Sequence, residues 1–290
     1  MTALLHQIFS GLAMGGVYAI LALALVMIYQ ATHLINFAQG EMAMFSTYIA
    51  WQLVDSGMPY WAAFALTVLI SFAGGVVIER LVIRPFAHAP ILTLVIVFIG
   101  LLLIFNSVAG WLYSYTIKTF DSPFQGRPWF GNHFMSAHES GSIVVTFAVL
   151  ALVYAFFRFT PLGLAMRAAA QNPVSSRLVG IRVGWMLAIG WGLAAAIGAI
   201  AGMMAAPIVY LDPGMMRGIL LYAFAGAVLG GIDNPWGAAF GGFAVGVLEN
   251  IAGAYLVGPE IKLSVALVII VGVLVIRPSG LFGRRLVVRV

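Results

Sequence analysis

The chain contains a series of apolar runs, each close to 20 residues long, separated by short polar stretches. The clearest runs are 8–29, 60–79, 91–113 and 185–209. An α-helix of roughly 20 apolar residues is long enough to cross the hydrocarbon core of a bilayer. Because every backbone polar group must be satisfied inside lipid, such runs are expected to be helical. They therefore predict an all-α integral membrane protein.

The remaining apolar runs vary more in length. They lie at 42–54, 141–157, 219–230, 236–257 and 261–276. The runs at 42–54 and 219–230 are short for a crossing, so re-entrant or broken segments could take their place. We predict one polytopic membrane domain over 1–290, a bundle of about 8 (7–9) transmembrane helices with re-entrant or broken segments.

Composition supports this class and limits the sources of energy. The chain is 63% hydrophobic and 8% charged, whereas a soluble domain carries roughly 25% charged residues. It has no cysteine, which excludes disulfides and thiolate chemistry. We expect neither a cleavable signal peptide nor a soluble domain. Any energy source would then be an ion gradient or a partner protein.

The distribution of lysine and arginine predicts the orientation in the membrane. One face would hold ten basic residues: Arg80, Arg84, Arg158, Arg167, Arg177, Arg182, Arg277, Arg284, Arg285 and Arg289. The other would hold four: Lys118, Arg127, Arg217 and Lys262. Cytoplasmic loops are the richer in basic residues, so the N-terminus is predicted outside and the C-terminus cytoplasmic. This gives a cytoplasmic loop at about 158–184 and an extracytoplasmic loop at about 114–140, and these loops explain the net charge of +5 without nucleic acid.

The stretch 158–184 reads RFTPLGLAMRAAAQNPVSSRLVGIRVG, with four arginines and no acid. Its first part, 163–171, is rich in alanine and other good helix formers. Asn172 and Pro173 are a cap residue followed by the residue that suits the first helical position, and Gly180 tolerates a left-handed end. The pattern predicts two short helices at the membrane surface. The alternative is a basic loop that only fixes topology.

Glycine spacing predicts close helix packing. The stretches 11–16, 190–202 and 237–242 read GLAMGG, GWGLAAAIGAIAG and GAAFGG. Small residues four apart let helix backbones approach each other in lipid, where apolar burial no longer drives association. The helices are therefore expected to pack tightly within the chain.

Two polar stretches interrupt the apolar sequence, at 36–41 and 229–237. Each joins glycine or proline to an acid and an amide beside a run of marginal length. Broken segments of this kind indicate a midplane site or a gate in transporters, and the alternative is an ordinary surface loop. Glu249 and Asn250 lie inside the run 236–257, where a carboxylate is normally paired or faces a cavity.

Motifs for catalysis and metal binding are missing from the sequence. His33, His88, His133 and His138 show no ligand spacing, and neither a nucleotide-binding G-x-x-x-x-G-K-[ST] loop nor a nucleophile–base motif is present. We expect no metal site, no cofactor in this chain, and no catalysis by it.

Four stretches, in chain order, resemble a known family. They are GLAMGGVYAILALALVMIYQATHLINFAQGEMAMFSTYIAW, PLGLAMRAAAQNPVSSRLVGIRV, AFAGAVLGGIDNPWGAAFGGFAVGVLE and IRPSGLFGR. Together they are similar to the LivH-type permease subunit of branched-chain amino-acid ABC importers. Gln30 and Asp233 stand where that family usually has glycine, and both lie next to candidate translocation elements.

The resemblance implies a second, homologous permease subunit, two cytoplasmic ATPase subunits and a periplasmic substrate-binding protein as partners. It also implies that the segment equivalent to 161–182 is a cytoplasmic coupling helix that docks on the ATPase. The predicted contact residues there are Leu164, Met166, Arg167, Gln171, Asn172, Arg177, Leu178 and Arg182. The residues predicted to line the translocation pathway are Asn36, Gln39, Glu41, Glu249 and Asn250.

Other functions remain open at this point. Similar permeases carry urea, short amides, other amino acids or aromatic acids. An ion-coupled secondary transporter would use Glu41 or Glu249 as its proton or cation site. A purely structural membrane subunit is a third possibility.

Overall fold

The structure is a computed structural model that describes residues 2–32, 34–87, 89–126, 135–258 and 261–283. Several residues used in the predictions above lie outside these ranges: His33, His88, Arg127, His133, Arg284, Arg285 and Arg289. The described residues form α-helices, joined by short turns and loops. The helices are α1 (Thr2–Thr32), α2 (Gln39–Asp55), α3 (Tyr60–Ile78), α4 (Ile91–Tyr113), α5 (Ala137–Phe159), α6 (Pro161–Gln171), α7 (Pro173–Leu178), α8 (Val183–Val209), α9 (Met216–Gly230), α10 (Pro235–Ala252) and α11 (Lys262–Ile276).

Six helical stretches of the described chain are long and apolar enough to cross a membrane. They are Ala3–Gln30, Tyr60–Phe86, Ile91–Tyr113, Ala137–Phe159, Val183–Val209 and Pro235–Val257. Met216–Gly230 and Lys262–Ile276 are shorter apolar helices. The prediction of an all-α membrane bundle with some short segments is confirmed.

Some helix limits differ from the predicted ones. Helix α2 begins at Gln39, so Gln39 and Glu41 are helical and not part of a loop. Helix α3 continues beyond the predicted residue 79 through a π-helical turn, Glu79–Ile83. Helix α10 also ends in a π-helical turn, Gly253–Val257, which reaches the predicted end of that run at residue 257. Such π turns are rare in proteins, and those that do occur are frequently found at functional sites.

The described residues group into two compact units. The central unit comprises Met27–Asp121 and Phe147–Met216, and the terminal unit comprises Met1–Val26, Ser122–Thr146 and Arg217–Val290. The prediction of one membrane domain over 1–290, and of the sidedness of its loops, stays a prediction.

In the central unit, α8 packs against both α2 and α3. Glycines form these contacts: a Cβ added at Gly75 would lie 2.6 Å from the carbonyl oxygen of Trp191, and one at Gly202 would lie 2.7 Å from that of Ala43. Trp191 itself is fully buried beside Phe98 of α4, with ring centroids 6.0 Å apart. The glycine pattern in 190–202 therefore permits the close packing that it predicts.

In the terminal unit, α1 and α9 both lie against the glycine face of α10. A Cβ at Gly15 would lie 2.9 Å from the carbonyl oxygen of Phe243, and one at Gly226 would lie 2.7 Å from the Cα of Gly242. In both cases the atom that the added Cβ would meet belongs to the backbone, so a rotamer change could not accommodate a larger side chain. Small residues are thus a steric requirement of this unit.

Candidate functional site

The polar residues at the start of α2 form a buried hydrogen-bonded cluster in the central unit. The Asn36 Oδ1 accepts a hydrogen bond from the Ala38 amide at 3.0 Å, and the Asn36 Nδ2 donates to the Gln39 Oε1 at 3.4 Å. The Gln39 Nε2 donates to the carbonyl oxygen of Ala194 in α8 at 2.9 Å. Asn36 and Gln39 are completely buried. The cluster therefore fixes the beginning of α2 to the middle of α8.

Glycine in α8 makes room for this amide. A Cβ at Gly198 would lie 2.6 Å from the Gln39 Nε2. The bond to Ala194 satisfies a buried polar group that would otherwise cost free energy in an apolar surrounding. This explains why α2 begins at Gln39: tertiary partners replace the water that a loop would need.

Glu41, in the first turn of α2, is 3% exposed. Its Oε2 accepts a hydrogen bond from the Nδ2 of Asn106 in α4 at 3.3 Å. The same amide nitrogen lies 2.6 Å from the carbonyl oxygen of Pro213. Asn106 interrupts the apolar run 91–113, where a buried asparagine is expected to act in helix packing. The sequence gives no sign of Glu41 as its partner, 65 residues away.

The hydrogen-bonding groups continue along α2. Ser71 of α3 donates to the Ser46 Oγ at 2.8 Å, and Ser46 donates to the carbonyl oxygen of Met42 at 2.8 Å. Thr47 donates to the carbonyl oxygen of Ala43 at 2.9 Å. Buried polar groups therefore follow α2 for more than two turns, on faces that contact α3 and α8.

Glu249 and Asn250 lie in the terminal unit and have partners on two other helices, α1 and α11. Glu249 is 6% exposed. Its Oε2 accepts from the hydroxyl of Tyr18 in α1 at 3.1 Å, and its Oε1 lies 3.6 Å from the Nζ of Lys262 at the start of α11. The Tyr18 ring stacks on Tyr222 of α9 with centroids 5.0 Å apart. The carboxylate is thus paired with a cation, as an intramembrane acid usually is.

Asn250 completes this cluster. Its Nδ2 donates to both the backbone oxygen and the Oε1 of Gln7, each at 2.8 Å, and its Oδ1 accepts from the Lys262 Nζ at 3.1 Å. Lys262 therefore contacts both residues that the sequence singled out. Its role could not be found from sequence, since it appeared only in the count of basic residues on the outer face.

The segment 158–184 contains the two predicted short helices, α6 and α7, in the central unit. The Thr160 Oγ1 accepts from the Gly163 amide at 3.0 Å, and the Asn172 Oδ1 accepts from the Ser175 amide at 3.0 Å. Pro161 and Pro173 occupy the first helical positions. These are the capping interactions that residues of these types provide. Gly180, with φ +86°, follows the end of α7.

Most of the residues predicted to contact an ATPase are exposed. Leu178 has 84% of its surface exposed and Leu164 60%. Arg167, Gln171, Asn172, Arg177 and Arg182 are exposed as well. Met166 differs: it is 9% exposed and packs inward with Ala169. The pair of helices therefore has a buried side, which includes Met166, and an outer side of leucine and arginine.

A cavity of about 50 Å³ lies beneath α6. Its walls include Met27, Met166 and Met186, with Gln30 and Arg167 as polar members. Ligand pockets usually measure roughly 300–1,000 Å³, so this cavity is too small to be a substrate-binding pocket. Among the described residues, no three His, Asp or Glu side chains are grouped as metal ligands, and the expectation that the chain needs no cofactor stays a prediction.

Comparisons with known proteins place the chain in a family. Residues 7–274 match the family described as "Branched-chain amino acid transport system / permease component". The chain is 31% identical to the high-affinity branched-chain amino acid transport system permease protein LivH of Escherichia coli (strain K12), over 97% of this chain and 96% of that protein.

Two further relatives extend this similarity. The permease protein BraD of Pseudomonas aeruginosa is 31% identical over 97% of this chain and 96% of its own. The probable branched-chain amino acid transport permease protein LivH of Methanocaldococcus jannaschii is 28% identical over 91% of this chain and 88% of its own. No solved structure matches the chain. This multi-pass membrane protein therefore belongs to the family of permease components of branched-chain amino acid transport systems.

Proposed function

We propose that this chain is the permease subunit of an ABC importer and forms half of the translocation pathway for branched-chain amino acids. The observation that carries the proposal is similarity along nearly the whole chain to permeases named for this transport, combined with the exposed helix pair α6–α7. In the proposed complex, a second homologous permease supplies the other half of the pathway. Two cytoplasmic ATPase subunits provide the energy, and a periplasmic binding protein delivers the amino acid.

The helix pair α6–α7 has the chemistry of a docking element. Exposed apolar side chains (Leu164, Val174 and Leu178) supply the anchors that a helix needs to bind in a groove. The nearby Arg167 and Arg177 are exposed and would set orientation and rate against an acidic surface. Because both helices begin with a capping hydrogen bond, they present these side chains without first having to fold. We therefore propose that α6–α7 is the coupling segment.

The double variant Arg167→Glu/Arg177→Glu is expected to lose ATPase association and ATP-dependent amino acid uptake. Reversing two charges replaces attraction with repulsion, and truncating even one partner of a buried charge pair costs about 2–5 kcal/mol, or roughly 30-fold or more in affinity. The measurement is co-purification of the ATPase, followed by uptake of leucine, isoleucine and valine into liposomes that contain the whole complex.

The matched control is Arg158→Glu/Arg277→Glu, which makes the same charge change at two other exposed arginines. It should retain the ATPase. Normal docking in the Arg167→Glu/Arg177→Glu protein would refute the coupling assignment. Uptake by the wild-type chain alone, driven by an ion gradient without an ATPase, would refute the importer itself.

We further propose that the chain lies in the bacterial inner membrane with its N-terminus outside and its C-terminus cytoplasmic. The wild-type chain has no cysteine, so single cysteines report position directly. Ser175→Cys in α7 should react with a membrane-impermeant maleimide only after the inner membrane is broken, so that the reagent reaches the cytoplasmic side. Thr116→Cys should react while the inner membrane is still intact, once the outer membrane has been removed. The opposite pattern of labelling would reverse the orientation.

The pathway residues are also a proposal. Asn36, Gln39 and Glu41 provide amide and carboxylate groups at the start of α2 and just before it, which suits a zwitterion with an apolar side chain. Glu249 and Asn250 provide a second polar cluster, in the terminal unit. In both clusters the side chains are held by hydrogen bonds to other helices, so any group that faces the substrate is pre-oriented rather than free.

A further inference from the structure

The end of α3 and the start of α8 are joined by two arginines, and the proposed function above gives neither of them a role. Arg80 lies in the π-helical extension of α3, and Arg84 is the first residue of the 3-10 turn that follows it. Gly184 and Trp185 lie in the first turn of α8. All four belong to the central unit.

Arg84 contacts both helices at once. Its Nη2 lies 3.1 Å from the Glu79 Oε2, and its Nε donates to the Oε1 at 3.4 Å. The same Nη2 also donates to the carbonyl oxygen of Gly184. The guanidinium group presents its donors in a fixed fork, so one side chain can bind a carboxylate and a carbonyl together. A compact lysine ammonium has no such geometry.

The π turn is what makes this pairing possible. Five residues of regular α-helix rotate by about 140° net, which would point residues 79 and 84 toward different sides. In the π turn the Arg84 amide donates to the Glu79 carbonyl oxygen, which brings the two residues onto one face. Glu79 is buried, with only 4% of its side chain exposed, and so needs a charged partner.

Arg80 holds the next residue of α8. Its guanidinium carbon lies 3.4 Å from the ring centroid of Trp185, well within the range for a cation–π interaction. Together the two arginines bind consecutive residues of one helical turn. That turn also contains the first amides of α8, which lack partners within the helix and would otherwise fray first.

Only four residues, 179–182, separate α7 from α8. The Ile181 amide donates to the carbonyl oxygen of Ser176 at 2.9 Å, so this link is folded back on α7. Because this link is short and folded, a displacement of α7 would also displace the first turn of α8. Without a clamp, that turn could bend or unwind and absorb the displacement.

We propose that Glu79, Arg80 and Arg84 form a clamp that passes movement of α6–α7 through α8 to α3, and that Arg84 is a positioning residue for coupling ATP hydrolysis to transport. The proposal rests on the proposed function, in which α6–α7 docks an ATPase. It assigns a mechanical role to residues that are neither proposed ATPase contacts nor proposed pathway residues.

The decisive variants remove the grip on α8 in two ways. Arg84→Met removes both the ion pair with Glu79 and the hydrogen bond to the Gly184 carbonyl oxygen. Gly184→Val keeps the ion pair with Glu79 but places a branched side chain against Arg84, since a Cβ there would lie 3.0 Å from the Nη2. The matched controls are Arg158→Met, at an exposed arginine, and Gly74→Val, at a glycine with open space.

The readout is the number of amino acid molecules transported per ATP hydrolysed in liposomes with the complete complex. We expect ATPase association and ATP hydrolysis to persist in both variants, while this ratio falls about tenfold, within the roughly 2- to 30-fold range for residues in a coupling network. Hydrogen exchange of the amides in the first turn of α8 should become faster in both. Both controls should behave like the wild type.

The possible failures are distinguishable. If the wild-type chain binds no ATPase, the proposed function fails, whatever the clamp does. If the ATPase binds and the transport-to-ATP ratio of Arg84→Met equals that of the wild type, the clamp is refuted and the proposed function stands. A normal ratio in Gly184→Val beside a low one in Arg84→Met would also refute it, because the ion pair alone would then be responsible. Should Arg84→Met fail to fold, Gly184→Val alone decides.

Discussion

Gly246→Leu is expected to abolish folding of the terminal unit. A Cβ at this position would lie 2.6 Å from the carbonyl oxygen of Gly11 and would also overlap the backbone of Gly15. Overpacking usually costs about 1–3 kcal/mol, but side chains cannot yield here because the neighbours are backbone atoms, so we expect more than about 3 kcal/mol. The measurement is the yield of monodisperse protein in detergent and its unfolding temperature.

Gly272→Leu makes the same substitution in α11, also in the terminal unit. Nothing lies within 4 Å of a Cβ at Gly272, and leucine is the better helix former. This variant should therefore fold as well as the wild type. Equal yields of the Gly246→Leu and Gly272→Leu proteins would show that α1 and α10 do not pack as described.

Lys262→Met is expected to destabilise the protein by roughly 3 kcal/mol, the cost of leaving a buried charge without its partner. The variant removes the cation beside Glu249 and the hydrogen bond to Asn250. The unfolding temperature should fall by about 6–12 °C, at roughly 2–4 °C per kcal/mol. Measurement in detergent, at one lipid and detergent composition for all variants, tests this.

Glu249→Gln should be much milder, because the two partners differ in access to water. Glu249 has 8% of its side chain exposed and Lys262 has 28%. A lysine that loses its partner can extend its flexible stem toward water, so we expect a cost below about 1 kcal/mol. The double variant Glu249→Gln/Lys262→Met should recover most of the stability lost in Lys262→Met, since it leaves no unpaired charge.

Transport then separates the two roles of Glu249. We expect the stable Glu249→Gln protein to transport poorly, because Glu249 is a proposed pathway residue. Normal transport by that protein would show that Glu249 is only the counter-ion of Lys262. A loss of stability as large as in Lys262→Met would contradict the asymmetry argued from exposure.

The limits of α7 and α4 are predictable from local sequence patterns. Asn172-Pro173 predicts the start of α7, and the structure has Asn172 as the cap and Pro173 as the first helical residue. The long helix α4 begins and ends at the predicted residues, 91 and 113. In both cases the determining interactions are local, namely a cap within three residues or an apolar run of bilayer length.

In the polar clusters, by contrast, local sequence patterns do not identify which residues pair. Glu41 and Glu249 stand out in the sequence as acids in apolar surroundings, but nothing in the sequence pairs them with Asn106 and Lys262. The start of α2 also extends beyond the predicted boundary, because Gln39 finds a carbonyl acceptor 155 residues away in α8. Met166 appears in sequence as one more apolar residue of the surface segment, and only packing shows that it faces inward.

The sequence alone determines the membrane class, the approximate helix limits and the capped surface pair α6–α7, because hydrophobic length and capping depend on neighbouring residues. The tertiary structure decides the pairing: Glu249 with Lys262, Glu41 with Asn106, and Arg84 with both Glu79 and Gly184. In lipid, no water is available to form hydrogen bonds with an unpaired polar group. Which partner satisfies it depends on which helices meet, and that is set by the close contacts that the glycines of α8 and α10 allow.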